Sequence, residues 1–161
     1  WSKSLMHVSC NVDEVRKQFD QVVLQIEGKL KNMVVGFAHD VAREAVDANP
    51  LGSSAKFADL YALREQRTGL QPIEGFSRGS WQASTSWPIG LRETYGAASG
   101  DNAVANVPSE LSNYKLGQTV YIANTGPYIE TINSRFGIAD RAMQALMQAY
   151  SSNLKYHYDR G

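Results

Sequence analysis

The sequence has little cysteine and no excess of charge. Its 161 residues include one cysteine, Cys10, so no disulfide can form within the chain, and this fits a reducing compartment. Lysine plus arginine and aspartate plus glutamate each number 16, which gives a formal net charge of zero at pH 7. A protein that holds nucleic acid by neutralising phosphates carries a basic excess. We therefore expect no sequence-specific binding of nucleic acid.

Long apolar runs are also missing. No run approaches the roughly 18 residues that a membrane-spanning helix needs. The first residues, Trp1-Ser2-Lys3-Ser4-Leu5, lack the apolar stretch of a signal peptide. Apolar residues make up 43% of the chain, enough for a real core. The sequence predicts one domain over residues 1–161, assembled inside the cell and without a membrane partner.

Metal and cofactor motifs are sparse. Three histidines lie far apart: His7, His39 and His157. None has a second histidine or a cysteine at metal-ligand spacing. Three acidic residues share one face of the first predicted helix: Asp40, Glu44 and Asp47. They offer oxygen ligands, but a solvated helix face, or one that meets a basic partner, is the expected reading. Gly52-Ser53-Ser54 lacks the rest of a phosphate-binding loop. We expect no cofactor and no metal.

A long first helix is the clearest predicted element. Asn11 followed by Glu14 forms a capping box, and Pro50 disfavours helix at Asn49. Such a helix is roughly 55 Å long at 1.5 Å per residue. An apolar stripe runs along it with a period near 3.6: Val12, Val15, Phe19, Val22, Ile26, Leu30, Met33, Phe37 and Val41. A domain of this size cannot cover so long a stripe, so we expect part of it to contact a neighbouring copy.

The rest of the chain predicts loops around a small sheet. Residues 50–79 and 88–118 are expected to be loop regions, with short helices at 55–67 and 104–111. A first strand is predicted at 80–87, where apolar and polar residues alternate. Residues 119–124 and 128–132 predict a central hairpin around Thr125-Gly126, and residues 138–156 a last helix. The predicted fold is α+β: a long N-terminal helix, a small antiparallel sheet with a central hairpin, and a C-terminal helix.

Alternation along the predicted hairpin assigns its two faces. Val120 and Ile122 should face the helices, while Tyr121 should point to a neighbouring subunit or to the other side of the sheet. Gly126 should adopt a positive φ in the turn, a conformation that costs other residues around 1 kcal/mol or more.

One catalytic motif is present. Gly75-Phe76-Ser77-Arg78-Gly79 matches G-x-S-x-G, the nucleophile elbow of serine hydrolases, and Asp140 and His157 follow in the required order. That chemistry needs the serine on a strand-to-helix turn, whereas Pro72 interrupts any incoming strand and a strand is predicted to follow. A small serine hydrolase using Ser77 therefore stays the alternative to a non-enzymatic protein.

Two stretches resemble a known family. The first is Ser77-Arg78-Gly79-Ser80-Trp81, which follows Asn49-Pro50 and a Gly/Ser loop. The second is Tyr114-Lys115-Leu116-Gly117-Gln118-Thr119-Val120-Tyr121-Ile122-Ala123-Asn124, followed by Gly126-Pro127-Tyr128-Ile129. Over residues 49–132 the chain resembles the tail-completion and head–tail joining proteins of tailed bacteriophages, typified by a lambdoid minor tail protein. It departs from them at residues 131–138, which lack the family's proline-rich run.

The resemblance implies a structural virion protein without catalysis or cofactor. Such proteins form homo-oligomeric rings, often six-fold, in the neck between the portal side of the head and the tail tube. DNA passes through the ring without being read. Ring closure uses two different surfaces of each subunit. We expect six residues to contact neighbouring subunits or other neck proteins: Phe19, Leu30, Arg78, Trp81, Tyr121 and Tyr128.

Overall fold

The fold is α+β and mostly helical, as predicted. The computed structural model describes residues 11–51, 75–90, 99–126 and 129–160, the last ten by backbone only. Its elements follow one another as α1 (Val12–Ala48), α2 (Phe76–Gly79), β1 (Trp81–Ser84), α3 (Asp101–Glu110), β2 (Tyr121–Asn124), α4 (Ile129–Phe136) and α5 (Ile138–Arg160). The helix predicted at 55–67 lies outside the described residues.

Helix α1 begins and ends where the sequence predicts. The Asn11 side-chain oxygen accepts a hydrogen bond from the Glu14 backbone N–H at 3.3 Å, which satisfies one of the amides that a helix start leaves unpaired. At the other end Asn49 is extended, with φ −78° and ψ 119°, the conformation favoured before a proline. The capping residue and Pro50 thus fix both bounds.

The core side of α1 is not the predicted stripe. The buried residues of this helix are small and lie in its C-terminal half: Ala38, Ala42, Ala45 and Val46. At 100° per residue, these positions are roughly 140° around the helix from the stripe. Ala38 and Ala42 pack with Val107, Leu111 and Tyr114, the residues that bring α3 against α1. Small side chains let the two helices approach closely, which a search for large apolar residues does not detect.

The sheet pairs two strands that are distant in sequence. β1 and β2 run antiparallel, with Trp81 opposite Asn124 and Ser84 opposite Tyr121. The predicted hairpin is therefore wrong: the partner of β2 is β1, while residues 129–132 lie in helix α4. Ile129, Ile132 and Phe136 follow steps of three and four, a helical period. All three belong to one apolar cluster with Phe76 and Ile138.

The expectation for Gly126 is also corrected. The glycines with positive φ among the described residues are Gly75, Gly100, Gly117 and Gly137, so Gly126 has no need of that conformation. A Cβ at Gly126 would instead lie 2.9 Å from the side-chain oxygen of Asn124. That oxygen accepts the Gly126 backbone N–H at the same distance. Close approach, rather than backbone strain, favours glycine here.

Helix α5 packs antiparallel along α1. Ala48, at the end of α1, packs against the cluster that contains Ile138, the first residue of α5. Twelve residues later, the Tyr150 ring meets Phe37 edge-on with centroids 4.7 Å apart. The Tyr150 hydroxyl donates to the Asp40 carboxylate at 3.0 Å. Burial, and then this hydrogen bond, raises the pKa of Tyr150 above its ordinary value, so the phenol stays protonated at neutral pH.

Candidate subunit interface

The N-terminal part of α1 extends past the helix that covers the rest of it. Tyr150 of α5 lies against residues 37–40 of α1, and α5 is described for ten more residues. Ten residues at 1.5 Å each reach about 15 Å further, to roughly residues 27–30 of α1. Residues 12–27, called the arm below, therefore project about 22 Å beyond the end of the described part of α5.

The arm exposes its apolar stripe. Val12 is 71% exposed and Phe19 is 67% exposed, and the next stripe residues are also open to solvent: Val15, Val22 and Ile26. Of the predicted contact residues on this helix, Phe19 lies within the arm, whereas Leu30 lies just past it and is half-buried. Soluble monomers rarely leave so many large apolar side chains on one face of one helix. This face has the composition of an interface.

A second apolar surface lies on α5. Ala142 and Leu146 are buried against the rest of the fold, whereas Met143 and Met147 are 58% and 69% exposed. Together with the exposed Ala139 they form a row at i, i+4 and i+8 that carries no charge. Methionine is flexible and polarisable, so such a row adapts to the shape of a partner.

A groove continues this row toward the sheet. It has a volume of about 260 Å³ and is lined mainly by apolar side chains of β1, β2, α4 and α5: Trp81, Ile122, Ile129, Ile138 and Ala139. Ala139 belongs both to the groove and to the methionine row. Asn124, Glu130 and Asn133 supply polar groups along the same groove. Through Ala139 the row and the groove join into one apolar surface.

A buried hydrogen-bond network joins α1, α2 and β2. The Asn49 side-chain amide donates to the Ser77 hydroxyl at 2.8 Å, and the Asn124 amide donates to the Ser77 carbonyl at 2.6 Å. Arg78 Nε donates to the Asn49 carbonyl at 2.7 Å. Asn49 is fully buried, and its Oδ1 has no hydrogen-bond partner among the described residues. Since buried polar groups cost energy unless paired, these bonds hold the end of α1 against the sheet.

The geometry of Ser77 differs from that of a nucleophile elbow. Ser77 is 7% exposed and lies in the one-turn helix α2, directly ahead of strand β1. The Ser77 hydroxyl accepts from Asn49, an amide that cannot act as a general base. An elbow instead exposes the serine oxygen beside a histidine. The arrangement serves to bind α1 to α2.

The predicted aromatic contacts lie on opposite faces of the sheet. Trp81 packs half-buried against the Phe76–Ile132–Ile138 cluster, on the same face as Ile122. Tyr121 lies on the other face, where its ring is tilted by 40° against that of the exposed Trp87, with the ring centroids 5.6 Å apart. This agrees with the side predicted for Tyr121. Tyr128 lies outside the described residues.

The two edges of the sheet differ. The Thr125 N–H donates to the Ser80 carbonyl, and in an antiparallel pair hydrogen-bonded and non-hydrogen-bonded residue pairs alternate from there. Ala83 and Ile122 form a non-hydrogen-bonded pair, so their backbone N–H and C=O groups point away from the partner strand. On β1, the Glu110 carboxylate accepts the Ala83 N–H at 2.7 Å. On β2, no backbone group in the described parts of the chain pairs with the outward N–H groups of Ile122 and Asn124.

Charges near the C-terminal half of α1 form local pairs. Arg43 bonds to Asp101 at 2.8 Å, which connects α1 to the first turn of α3. The pKa of Asp101 lies below its ordinary value, mainly because Arg43 donates a hydrogen bond to its carboxylate and next because Ser99 does so. Arg43 also lies 3.9 Å from Asp47. No cluster of three or more histidine, cysteine or acidic side chains able to hold a metal occurs in the described ranges. No described helix is long and apolar enough to cross a membrane.

Sequence reasoning did not identify Asn49 and Asn124 as the donors of a buried network. In the sequence analysis, Asn49 is the residue before Pro50 and Asn124 ends a predicted strand. Both also belong to the stretches that carry the family resemblance. A useful signal for each was an asparagine directly beside a helix or strand end, where its amide can pair with a neighbouring backbone. No family description, curated protein or solved structure matches this chain.

Proposed function

We propose that the protein is a structural subunit of the neck of a tailed bacteriophage. In this proposal, copies form a ring, six-fold as the resemblance implies, that completes the tail and joins it to the portal side of the head. DNA passes through the opening of the ring. Its partners are other copies, portal-side proteins and tail-tube proteins, its location is the virion, and it carries no catalytic group and no cofactor.

One observation carries the proposal. The stretches by which the sequence resembles tail-completion proteins meet in space: Asn49 precedes Pro50, Ser77 and Arg78 open the first stretch, and Asn124 ends the second. Direct hydrogen bonds of 2.6–2.8 Å connect them. The same two stretches contribute the paired strands β1 and β2. This contact between the two resembling stretches is the observation that supports the proposal.

The arm supports an assembly role. A stripe of five large apolar residues is exposed on it, and burying each such side chain is worth roughly 1.5–3 kcal/mol. A protein that works as a monomer has no use for apolar side chains that stay in contact with water, whereas association with a partner would bury them. No observation among the described residues favours the hydrolase alternative, since the Ser77 hydroxyl is buried and faces an amide.

The proposal predicts closed rings with a central opening. Electron microscopy of the purified protein at increasing concentration should show them, alone or with portal-side proteins. Labelling of intact virions with an antibody to the chain should mark the junction of head and tail. A folded monomer at every concentration that no neck protein recruits would refute the proposal.

A further inference from the structure

We propose that the arm of one copy lies along α5 of a second copy, with its apolar stripe on the row Ala139–Met143–Met147 and the adjoining groove. This inference rests on the proposed ring and names its contact surfaces. The two surfaces belong to different parts of the chain, so each copy gives its arm to one neighbour and receives the arm of another.

The first argument is that the arm lacks a covering that the rest of its helix has. Phe37, on the same stripe, packs one side of its ring against Tyr150 of α5 and is 41% exposed, less than any stripe residue of the arm. Toward the N-terminus the described part of α5 ends near residues 27–30 of α1, and the stripe is open from there on. A partner that covers the stripe of the arm in the same way supplies an apolar helix face like that of α5. The exposed face of α5 in another copy is such a surface.

The second argument concerns charge. The arm contains four acidic and two basic side chains, and at 100° per residue all six lie at least about 80° around the helix from the centre of its apolar stripe: Asp13, Glu14, Asp20, Glu27, Arg16 and Lys17. The receiving row on α5 is uncharged. A stripe that contains no charged residue and an uncharged apolar row are complementary, since their contact leaves no ion buried without a partner.

Length and area also agree. The stripe from Val12 to Ile26 spans about 21 Å, while the row from Ala139 to Met147 spans about 12 Å before the groove extends it. Five stripe residues and two methionines expose apolar surface on the order of 700 Å², at about 100 Å² for each partly exposed side chain. A stable interface of roughly 1,200 Å² that is a little over half apolar requires about this much.

Paired charge substitutions test the two surfaces. Phe19→Asp on the stripe should weaken association at least tenfold. Leu24→Asp is the matched control, because Leu24 is 66% exposed but lies roughly 140° from Phe19 around the same helix. Met147→Glu should act like Phe19→Asp, with Gln148→Glu as its control, because Gln148 is exposed and lies about 140° around α5 from the centre of the row. Sedimentation velocity measures the association, and circular dichroism shows that each variant remains folded.

Cysteine cross-linking tests which surface meets which. In a Cys10→Ser background, Val22→Cys with one affinity tag is mixed with Met147→Cys with another tag. Oxidation should give a cross-linked product that carries both tags, whereas the Glu27→Cys and Met147→Cys mixture serves as the off-stripe control. A product formed only between two Val22→Cys chains would mean that stripes pair with each other, and it would overturn this inference.

The outcomes separate the inference from the proposed function. Rings that persist unchanged in Phe19→Asp and Met147→Glu would overturn the contact between the arm and α5. They would not contradict the proposed function as a neck ring. Loss of the ring in both stripe and row variants, with both controls intact, supports both. A wild-type protein that never associates would refute the ring and, with it, the contact.

Discussion

Gly100 is a position where substitution should reveal two separate costs. It precedes α3 with φ +79°, a conformation that disfavours any residue with a Cβ by about 1–2 kcal/mol. A Cβ there would lie 2.7 Å from Cγ1 of Val46, 2.9 Å from Cβ of Arg78 and 3.2 Å from its carbonyl oxygen. Val46 is fully buried, so it has no room to move away.

Gly117 provides the matched control. Its φ is +90°, yet a Cβ at this position would have no atom within 4 Å. Gly117→Ala should therefore show the conformational cost alone, about 1 kcal/mol once the smaller entropy of the unfolded alanine chain is subtracted. Gly100→Ala adds overpacking of about 1–3 kcal/mol, for a total loss of about 2–4 kcal/mol.

Urea denaturation at one protein concentration measures both losses, since assembly would otherwise stabilise the native state by mass action. In a thermal scan Gly100→Ala should lower Tm by roughly 5–15 °C and Gly117→Ala by roughly 2–4 °C, at about 2–4 °C per kcal/mol for a chain of this size. Equal losses in the two variants would refute the reasoning, because they would mean that α3 shifts away from Val46 and Arg78 without cost.

Three further predictions concern other positions. Gly28→Ala should raise the free energy of unfolding by up to about 1 kcal/mol in urea denaturation, because Gly28 is inside α1 with open space around it; a loss would show that the glycine admits a close neighbour. Ser77→Ala should cost about 1–3 kcal/mol, because the buried Asn49 amide loses its acceptor, whereas Ser109→Ala, at an exposed helical hydroxyl, should cost little. Asp101→Asn should lower Tm at pH 6 but much less at pH 2.5. The lowered pKa of Asp101 stabilises the fold above its unfolded pKa of about 3.9, and this stabilisation is lost as pH falls through the folded value. A Tm difference that does not change with pH would contradict this assignment.

The bounds of α1 could be predicted because they depend on neighbours in sequence. Asn11 caps its own helix, and Pro50 acts on the residue before it. The buried face of α1 could not, because alanines become a core side only when α3 supplies Val107 and Leu111 to meet them. Local patterns carry no information about a partner helix some 60 residues away.

The strand pairing failed for a related reason. Asn124-Thr125-Gly126 has the composition of a turn, and residues 128–132 have β-branched side chains, so a local hairpin was the simplest prediction. The actual pairing depends on contacts between distant segments, such as the Gln82 amide on the Thr125 hydroxyl at 2.8 Å. In the candidate interface, Phe19 could be selected from its spacing alone. The receiving methionine row could not, because periodicity does not tell which of two adjacent helix sides is buried.

The pairing of α1 with α5 has a consequence for synthesis on the ribosome. The bond between Asp40 and Tyr150 spans 110 residues of chain. At 5–20 residues per second, a newly made α1 waits about 5–20 s before α5 has been translated. During that interval both the alanine face and the stripe lack the helices that cover them, so we expect the nascent chain to depend on chaperones. Completion of α5 then covers the part of the stripe beyond the arm, which makes association of the arm with other copies a step that follows release of the finished chain.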